Sequence, residues 1–233
     1  MARGDRFLFI SDLQIPFEAP KALEVCRKVQ RHYGIPKEHV YCVGDEVDCY
    51  HASRYPKSPD IDLTPTQELA LARDRLKAWY AAFPVMQLAT SNHGKRWYDR
   101  AAEAGIPKAL LPDYNAIWQA PTGWRWAKYW RICAKRPMAV FHGLGYGAQA
   151  ALNQSALDYG MATVFGHHHS AAGIKHLATR TQRLWAMNSG CLINIKSVAF
   201  GYEEDNRLKP VLSLGVAVDG GLTPILVPYE AFL

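Results

Sequence analysis

The sequence predicts an α/β fold, with residues 1–233 forming a single domain, and two observations support this prediction. First, short apolar, β-prone runs alternate with longer segments of helix-forming residues, and no internal repeat, low-complexity tract or linker interrupts them. Second, five of the apolar runs lead directly into a loop that carries Asp, Asn or His. Because ligands of α/β sheets bind beyond the carboxyl ends of the strands, these loops are the expected place for chemistry.

Five apolar runs are predicted to be buried strands, because they are short and rich in β-branched and aromatic residues. These runs cover residues 6–10, 40–43, 85–89, 138–141 and 162–165. Further strands are expected at residues 183–187, 211–218 and 224–227, and the stretch from Tyr202 onward is expected to close the sheets without contributing chemistry.

Helices are predicted between these strands, at residues 20–33, 64–83, 97–104 and 147–159. The second helix has the clearest boundaries, because Thr64 or Thr66 can cap its N-terminus and Pro84 stops it. Residues 105–123 are rich in proline and glycine, and this composition predicts an irregular segment.

Residues 124–133 mix aromatic and cationic side chains, and this pattern has two interpretations. Exposed rings and cations could stack nucleic-acid bases and neutralise phosphates. Alternatively, the segment is a β-hairpin whose aromatic side chains cover the sheet, and we favour this structural interpretation. One face of the strand would then carry Trp126, Lys128 and Trp130, and the other face would carry Arg125, Tyr129 and Arg131.

The composition is that of an ordinary globular protein with a mild preference for anionic partners. Hydrophobic residues make up 49% of the chain, and the formal net charge is +6. The five cysteines are odd in number and form no Cys-x-x-Cys pair, so a reducing compartment is expected rather than a disulfide framework. The apolar run at residues 7–10 is too short for a signal peptide or a membrane span. We therefore expect a cytoplasmic protein without a membrane partner.

Six polar residues at the ends of the predicted strands are of types that bind divalent metals, because carboxylates, carboxamides and imidazoles are ligands for Mn, Fe, Zn or Mg. Each residue has an ordinary explanation on its own, since Asp and Asn are common in caps and turns and a single His is more often packed in a core. Six of them in succession at strand ends favour a metal site. These residues are Asp12, Asp45, Asn92, His142, His167 and His169.

The same residues belong to a series of short motifs. The chain reads DLQ at residues 12–14, GDEVD at 44–48, SNHG at 91–94, HG at 142–143, GHHH at 166–169 and NSGC at 188–191. In this order and spacing the chain resembles the calcineurin-like metallophosphoesterases, whose pattern is D-x-H, G-D-x-x-D, G-N-H-D/E, a single H and G-H-x-H. The match runs from residue 7 to about residue 170, and the short loops look like those of the small members that phages encode.

The resemblance implies a fold, an activity and a set of metal ligands. The expected fold is a sandwich of two packed mixed β-sheets flanked by helices, with two divalent metal ions at one end. Mn is the expected metal, and Mg, Fe, Zn, Ni and Co are alternatives. Asp45 would bridge the two metals, and the first would also be held by Asp12, His169 and Gln14 in the place of the family's histidine. Asn92, His142 and His167 would hold the second metal.

The resemblance also implies two catalytic residues. A hydroxide that bridges the metals would attack the phosphorus atom, and His93 would donate a proton to the leaving group. Asp48 would orient His93 and stabilise its charge. His168, between two ligands, would point away and support the loop.

Two departures from the family pattern affect these expectations. Gln14 replaces a histidine, and an amide oxygen is a weaker, harder donor than imidazole, so the first site should be weaker and should prefer Mn or Mg. Ser91 and Gly94 replace a glycine and an acidic residue on either side of Asn92 and His93. Neither change removes a ligand or the general acid, so activity is still expected.

The substrate is the part that the sequence predicts least. His51, Arg54, Lys95 and Arg96 lie a few residues from a ligand and are candidate phosphate contacts, although each could equally be solvated. The basic charge, the segment at residues 124–133 and the weak first site favour a phosphodiester, and within that class DNA or RNA. A phosphomonoesterase acting on proteins or small molecules is the alternative, and a non-catalytic nucleic-acid-binding module is the second alternative. The oligomeric state is not predicted.

Overall fold

Two mixed β-sheets and five α-helices make up the computed structural model, which describes residues 5–197, 199 and 207–233. The predicted α/β class, with two packed mixed sheets flanked by helices, is confirmed. Within the described residues the strands are β1 (Phe7–Ile10), β2 (Val40–Cys42), β3 (Met86–Ala89), β4 (Trp124–Ala127), β5 (Tyr129–Ile132), β6 (Met138–Phe141), β7 (Ala162–Phe165), β8 (Gly173–Ala178), β9 (Arg183–Asn188), β10 (Ser213–Val218) and β11 (Thr223–Pro228). The helices are α1 (Ala22–Tyr33), α2 (Pro65–Ala82), α3 (Arg96–Glu103), α4 (Tyr114–Trp118) and α5 (Ala148–Asp158).

The strand directions in the two sheets decide where the polar loops lie. The first sheet has the order β11-β10-β1-β2-β3-β4. Strands β1 to β4 run parallel to one another, and β10 pairs antiparallel with both β1 and β11. The second sheet has the order β5-β6-β7-β9-β8, in which β6, β7 and β9 are parallel. The strands that precede the predicted ligands are therefore parallel within each sheet, and their carboxyl ends lie at the same edge.

The two sheets pack face to face over an apolar layer, and helices cover their outer faces. Phe9 from the first sheet and Val140 and Trp185 from the second are buried in the layer between the sheets. Helices α1 and α2 cover the first sheet, and Val25 of α1 is fully buried there. Helix α5 covers the second sheet, where Ala151 is fully buried. Burying each large side chain contributes about 1.5–3 kcal/mol, so this layering is the main support of the fold.

Local signals set the ends of the longer helices. Thr64 is the N-cap of α2: its hydroxyl accepts a hydrogen bond from the Gln67 amide at 3.3 Å, and the Gln67 side chain accepts one from the Thr64 amide at 2.8 Å. This reciprocal pair is a capping box, and Pro65 follows at the first helical position. Helix α1 ends at Gly34, whose φ of 60° suits a residue without a Cβ atom.

Two short elements lie where the sequence analysis did not place them. Helix α4 interrupts the stretch predicted to be irregular, and it forms because the Asp113 side chain accepts a hydrogen bond from the Ala116 amide at 2.9 Å. Strand β8 was not predicted, because its residues are exposed or half-buried and lack a clear alternation. It is an edge strand, and pairing with β9 rather than local pattern holds it in place.

Residues 124–133 do not form a hairpin, and that prediction is wrong. Strand β4 pairs with β3 in the first sheet, whereas β5 pairs with β6 in the second. Only Lys128 separates the two strands, which is too short a link for a hairpin turn, so the chain bends at Lys128 and passes from one sheet to the other.

The tryptophans of this segment are bound within the protein. The Trp124 indole N–H donates to the Phe83 carbonyl at 2.8 Å. The Trp126 indole N–H donates to Glu46 Oε1 at 2.9 Å, and that of Trp130 donates to the Leu88 carbonyl at 2.9 Å. Buried tryptophans need such partners, so these rings act in the framework. The polar edges of these three rings are therefore already bonded, which favours a role in the framework.

The C-terminal part of the described chain closes the first sheet, as expected, through β10 and β11. Tyr202, where that stretch was expected to begin, lies outside the described residues. Among the helices that the structure describes, none is long and apolar enough to cross a membrane.

Substitution of Trp185 by alanine should test the layer between the sheets. The indole is 2% exposed and donates to the Gly221 carbonyl at 3.0 Å, so its removal leaves a cavity and an unpaired carbonyl. The free energy of unfolding should fall by about 3–5 kcal/mol in urea denaturation. Leu157→Ala is the control, because Leu157 is 48% exposed on α5 and its loss should cost less than about 1 kcal/mol. Equal effects of the two substitutions would contradict the sandwich arrangement.

Candidate metal centre

The polar residues that follow β1, β2, β3, β6 and β7 come together at one end of the sandwich. Side chains from the two sheets meet there, since His142 after β6 contacts Asp45 after β2, and the loop after β7 contacts Asp12 after β1. Each contact joins residues about a hundred or more positions apart. The site is therefore a product of sheet packing and not of any local motif.

One group of side chains is centred on His142. Its Nε2 atom lies 2.8 Å from Asn92 Oδ1 and 3.2 Å from Asp45 Oδ2. Its Nδ1–H donates to the Val43 carbonyl at 3.0 Å, so the Nε2 lone pair of the neutral ring faces two oxygen acceptors. The ligand atoms of Asp45, His142 and His167 all lie within 4.8 Å of one another.

The charges in this group fit a cation. Burial by itself would lower the pKa of His142, but Asp45 outweighs burial and raises that pKa to about 9. Burial would raise the pKa of Asp45, but His142 and His93 hold it well below its usual range. Burial, and then the neighbouring His142, lower the pKa of His167 to about 4, so its imidazole stays neutral and available as a ligand. A divalent cation at this point would replace the proton on His142 and satisfy all the facing acceptors.

A second group consists of Asp12, Gln14 and His169. His169 Nε2 lies 3.2 Å from Asp12 Oδ2 and 3.3 Å from the Gln14 amide nitrogen. Asp12 Oδ1 and Gln14 Oε1 are both buried and have no hydrogen-bond partner among the described residues. Rotation of the Gln14 amide about its last bond turns its oxygen towards His169. Buried acceptors without a donor are costly, and a metal ion is one partner that would satisfy them.

The backbone around both groups is unusual. Gln14, Asp45 and His167 have φ values of 51°, 51° and 68°, in the left-handed region that residues other than glycine rarely adopt. Such conformations cost about 1–3 kcal/mol each and collect at functional sites. The close approach of Gly166 is a related feature, because a Cβ atom at that residue would lie 2.1 Å from Asp12 Oδ1. Several residues are thus held in costly positions at this one place.

His93 lies beside the group centred on His142, between two carboxylates and a guanidinium. Its amide donates to Asp45 Oδ1 at 3.1 Å, its Nδ1 lies 3.6 Å from Asp48 Oδ2, and its Nε2 lies 3.7 Å from Asp45 Oδ2. Arg96 donates from one nitrogen to His93 Nε2 at 2.8 Å and from the other to Asp48 Oδ1 at 2.9 Å. Because a guanidinium only donates, His93 Nε2 accepts here, and the proton of the neutral ring is on Nδ1, which faces Asp48.

A cavity of about 860 Å³ opens onto both groups. Besides seven of the expected ligand and catalytic residues, its wall contains Arg96, His168 and a second set of residues from the loop that follows β2. This second set consists of Tyr50, Ser53, Tyr55, Pro56, Lys57 and Ser58. The volume falls within the range of small-molecule sites.

The predicted substrate contacts differ in their positions. Arg96 lines the cavity, whereas His51 and Arg54 are not part of its wall. The exposed Arg54 forms an ion pair with Glu103, and the His51 amide donates to Glu68 at 3.0 Å. Lys95 lies 3.9 Å from Asp99 on the surface of the α3 region.

His168 and Asn188 support the loop after β7. The His168 ring lies 3.0 Å from the Tyr146 carbonyl, to which Nε2–H donates. The Asn188 amide donates to the carbonyls of His168 and Ala171 at 2.8 and 3.0 Å. These bonds hold the loop that carries His167 and His169 in place.

The sequence analysis did not identify Glu46 as part of this region. Its carboxylate is 2% exposed, one oxygen accepts the Trp126 indole N–H, and burial raises the pKa of Glu46 to about 7. A Cβ atom at Gly94 would lie 3.7 Å from that oxygen. Glu46 therefore lies beside the space that an acidic side chain at position 94 would enter. The occurrence of Glu46 together with Gly94 in the sequence is the signal that could have identified Glu46.

All seven predicted ligands lie in these two adjoining groups, which share the end of the sandwich with His93 and Asp48. Comparison of the chain with protein-family models found no matching model, and comparison with curated proteins found no match. The interpretation of the centre depends on its geometry and donor atoms. Among the described residues, the ligand atoms of Asp45, His142 and His167 lie close enough together for a metal ion to be a candidate occupant.

Gly166→Ala should weaken metal binding without a change in any ligand. The added Cβ atom would lie 2.1 Å from Asp12 Oδ1 and 2.6 Å from Val43 Cγ2, so the Asp12 carboxylate must move. We expect the affinity for Mn²⁺, measured by isothermal titration calorimetry, to fall at least about tenfold. Gly147→Ala is the control, since nothing lies within 4 Å of a Cβ atom there. Unchanged affinity in Gly166→Ala would rule out Asp12 as a ligand.

Gln14→His should strengthen metal binding by the group of Asp12, Gln14 and His169, which is the first site of the sequence analysis. Imidazole is a better donor than an amide, and histidine tolerates positive φ better than most residues. After loading with Mn²⁺ and dialysis, the variant should retain more metal per chain than the wild-type protein, as measured by mass spectrometry of the metal. Gln119→His is the matched control, since Gln119 has a similar φ of 54° and caps α4 far from the centre in sequence. If Gln14→His retains no more metal than the wild type, the idea of a weak first site is wrong.

Proposed function

We propose that the protein is a two-metal-dependent phosphoester hydrolase of the calcineurin-like metallophosphoesterase type. The observation that carries this proposal is the meeting of seven ligand-type side chains, in two adjoining groups, beside a histidine that faces a carboxylate. Each group alone could be a structural polar cluster. Their combination with His93 and Asp48 at the mouth of a cavity matches what hydrolysis of a phosphoester requires.

The proposed ligands divide between two metal ions. Asp12, Gln14 and His169 would hold one ion, Asn92, His142 and His167 the other, and Asp45 would contact both. When bound, the two ions activate water and neutralise charge on the phosphoryl group. Val43 fixes the orientation of His142 through its carbonyl, and Asp12 also accepts the His167 amide at 2.9 Å, so the two groups support each other.

His93 and Asp48 would supply the proton for the leaving group. The Asp48 carboxylate stabilises a positive charge on the His93 ring, so the protonated ring can carry its second proton on Nε2, the atom that faces the cavity. Arg96 holds that atom in the absence of substrate. A substrate phosphate would draw the guanidinium away, since a charged phosphate is a better acceptor than a neutral imidazole.

We propose a phosphodiester as the substrate, with DNA and RNA as the biological candidates. Two of the three original reasons support this: the basic net charge and the weak donor at Gln14. The third reason is withdrawn, because the tryptophans at residues 124–130 bond to internal groups. The cavity adds a new reason, since Tyr50, Tyr55 and Lys57 extend its wall beyond the metal ligands and leave room for more than one phosphate group.

The test compares a nitrophenyl phosphodiester with the corresponding monoester, using protein stripped of metal and then supplied with Mn²⁺. The diester should be cleaved faster, and His93→Ala should lower kcat by about 10²–10⁴-fold because the leaving group is no longer protonated. His176→Ala is the control, since that histidine is exposed on β8.

Two outcomes would contradict the proposal in different ways. Faster cleavage of the monoester would make the protein a phosphomonoesterase with the same centre. No cleavage of either ester, together with tight Mn²⁺ binding, would favour the alternative of a non-catalytic binding module.

A further inference from the structure

The cavity wall contains two cationic side chains, Lys57 and Arg96, and the proposed reaction gives Lys57 no role. We propose that Lys57 and Arg96, beside the Tyr50 ring, form a subsite for a second phosphate group on the leaving-group side of the scissile bond. The substrate would then be a phosphoester whose leaving group carries a phosphate of its own. This inference rests on the proposed function.

Lys57 is held at the cavity by its own loop. Its ammonium group donates to the Ser53 carbonyl at 2.7 Å and to the Tyr55 carbonyl at 3.0 Å, and it lies 5.2 Å from the centre of the Tyr50 ring. An ammonium has three N–H donors, so one remains for a ligand. Within the described residues, no carboxylate forms an ion pair with Lys57. A fixed cation of this kind is suited to an anion that enters the cavity.

The carboxylates near this wall are already engaged. Asp48 bonds to Arg96, Glu103 pairs with Arg54 and Arg100, and Glu68 accepts the amides of Tyr50 and His51. Among the described residues, Lys57 is therefore a cation of this wall that no carboxylate pairs with, whereas Arg96 pairs with Asp48.

The pKa of Lys57 also reflects the neighbouring cations. Burial, and then repulsion from Arg96 and Arg100, lower the pKa of Lys57. A phosphate bound between Lys57 and Arg96 would relieve that repulsion, which a neutral ligand would not do.

His93 connects the subsite to the leaving group. Arg96 donates to His93 Nε2 at 2.8 Å, and His93, Arg96 and Lys57 all line the same cavity. Since His93 is the proposed proton donor to the leaving group, a phosphate bound by Arg96 beside that atom would belong to the leaving group.

The reaction balances without another reactant. Water adds to phosphorus, the bond from phosphorus to the leaving oxygen breaks, and that oxygen takes a proton from His93. The leaving group departs with its own phosphate intact. Two sources provide this chemistry: a nucleic-acid strand, in which the next phosphate is one nucleoside away, and a nucleoside 3′,5′-diphosphate, in which the leaving group is a nucleoside monophosphate.

The experiment compares the dinucleotide TpT with its 5′-phosphorylated and 3′-phosphorylated forms, and uses thymidine 3′,5′-diphosphate as a separate arm. With Mn²⁺, the wild-type protein should cleave at least one phosphate-bearing substrate with a kcat/KM about tenfold above that of TpT, because a charge-assisted contact contributes about this much. Lys57→Gln should remove most of this preference, and Lys57→Arg should keep it because the cation remains. Lys77→Gln, an exposed lysine on α2 that pairs with Asp74, should keep it as well.

Several results would overturn the subsite. A wild-type protein with no preference for any phosphate-bearing substrate would do so, as would an equal loss of preference in Lys57→Gln and Lys77→Gln. A preference for a phosphorylated dinucleotide would identify a strand as the source, and a preference for thymidine 3′,5′-diphosphate alone would identify a nucleotide.

Failure of the proposed function can be told apart from failure of the subsite. Binding of the phosphorylated dinucleotide and of TpT is measured by calorimetry in EDTA, where hydrolysis does not occur. Tighter binding of the phosphorylated form, lost in Lys57→Gln, supports the subsite even if no substrate is cleaved. Equal binding of the two dinucleotides overturns it, whatever the hydrolysis assay shows.

Discussion

The buried carboxylate of Asp45 is the constraint on which the rest of the centre depends. An anion that is 1% exposed must be compensated, and every neighbouring loop contributes to this. The Asp45 carbonyl accepts the amides of Leu13 and Gln14 at 3.0 and 2.8 Å, while its side chain accepts the His93 amide and faces His142. One residue therefore joins the loops after β1, β2, β3 and β6. The positive φ of Asp45 is the conformational cost of serving all of them at once.

This arrangement is available only because two sheets pack with their parallel strands ending at the same place. Neither sheet alone contains a complete group, since the first supplies Asp12, Asp45 and Asn92 and the second supplies the histidines. The apolar layer between the sheets, in which Trp185 is fully buried, thus fixes the distances within the centre. If the proposed metals bind, stability of the layer and affinity for the metals would be coupled, because binding a cation favours the folded arrangement.

The framework and the cavity use aromatic residues in different ways. The tryptophans at the crossing from β4 to β5 donate to internal acceptors, and Trp130 of β5 joins the two sheets through the Leu88 carbonyl of β3. The tyrosines of the loop after β2 line the cavity, next to Lys57. Under the proposed function, recognition of a substrate would therefore depend on the loop after β2 and not on the aromatic segment at residues 124–133. Glu46 connects the two regions, because it follows Asp45 in the chain and accepts the Trp126 indole.

The sequence by itself determined the fold class, most of the strands and helices and the set of ligand-type residues. These features depend on local signals: β6 and β7 have the predicted boundaries, and Thr64 with Gln67 forms the cap that the start of α2 required. What only the tertiary structure decided was which sheet each strand joined, as in the crossing at Lys128, and which charges faced each other. Arg96 illustrates the second point, because its bonds to His93 and Asp48 join groups 3 and 48 residues away. Pattern and propensity act over a few residues, whereas strand pairing and the compensation of buried charge act between distant ones. The sequence therefore identifies the residues of the candidate site, and tertiary packing decides which of them contact each other.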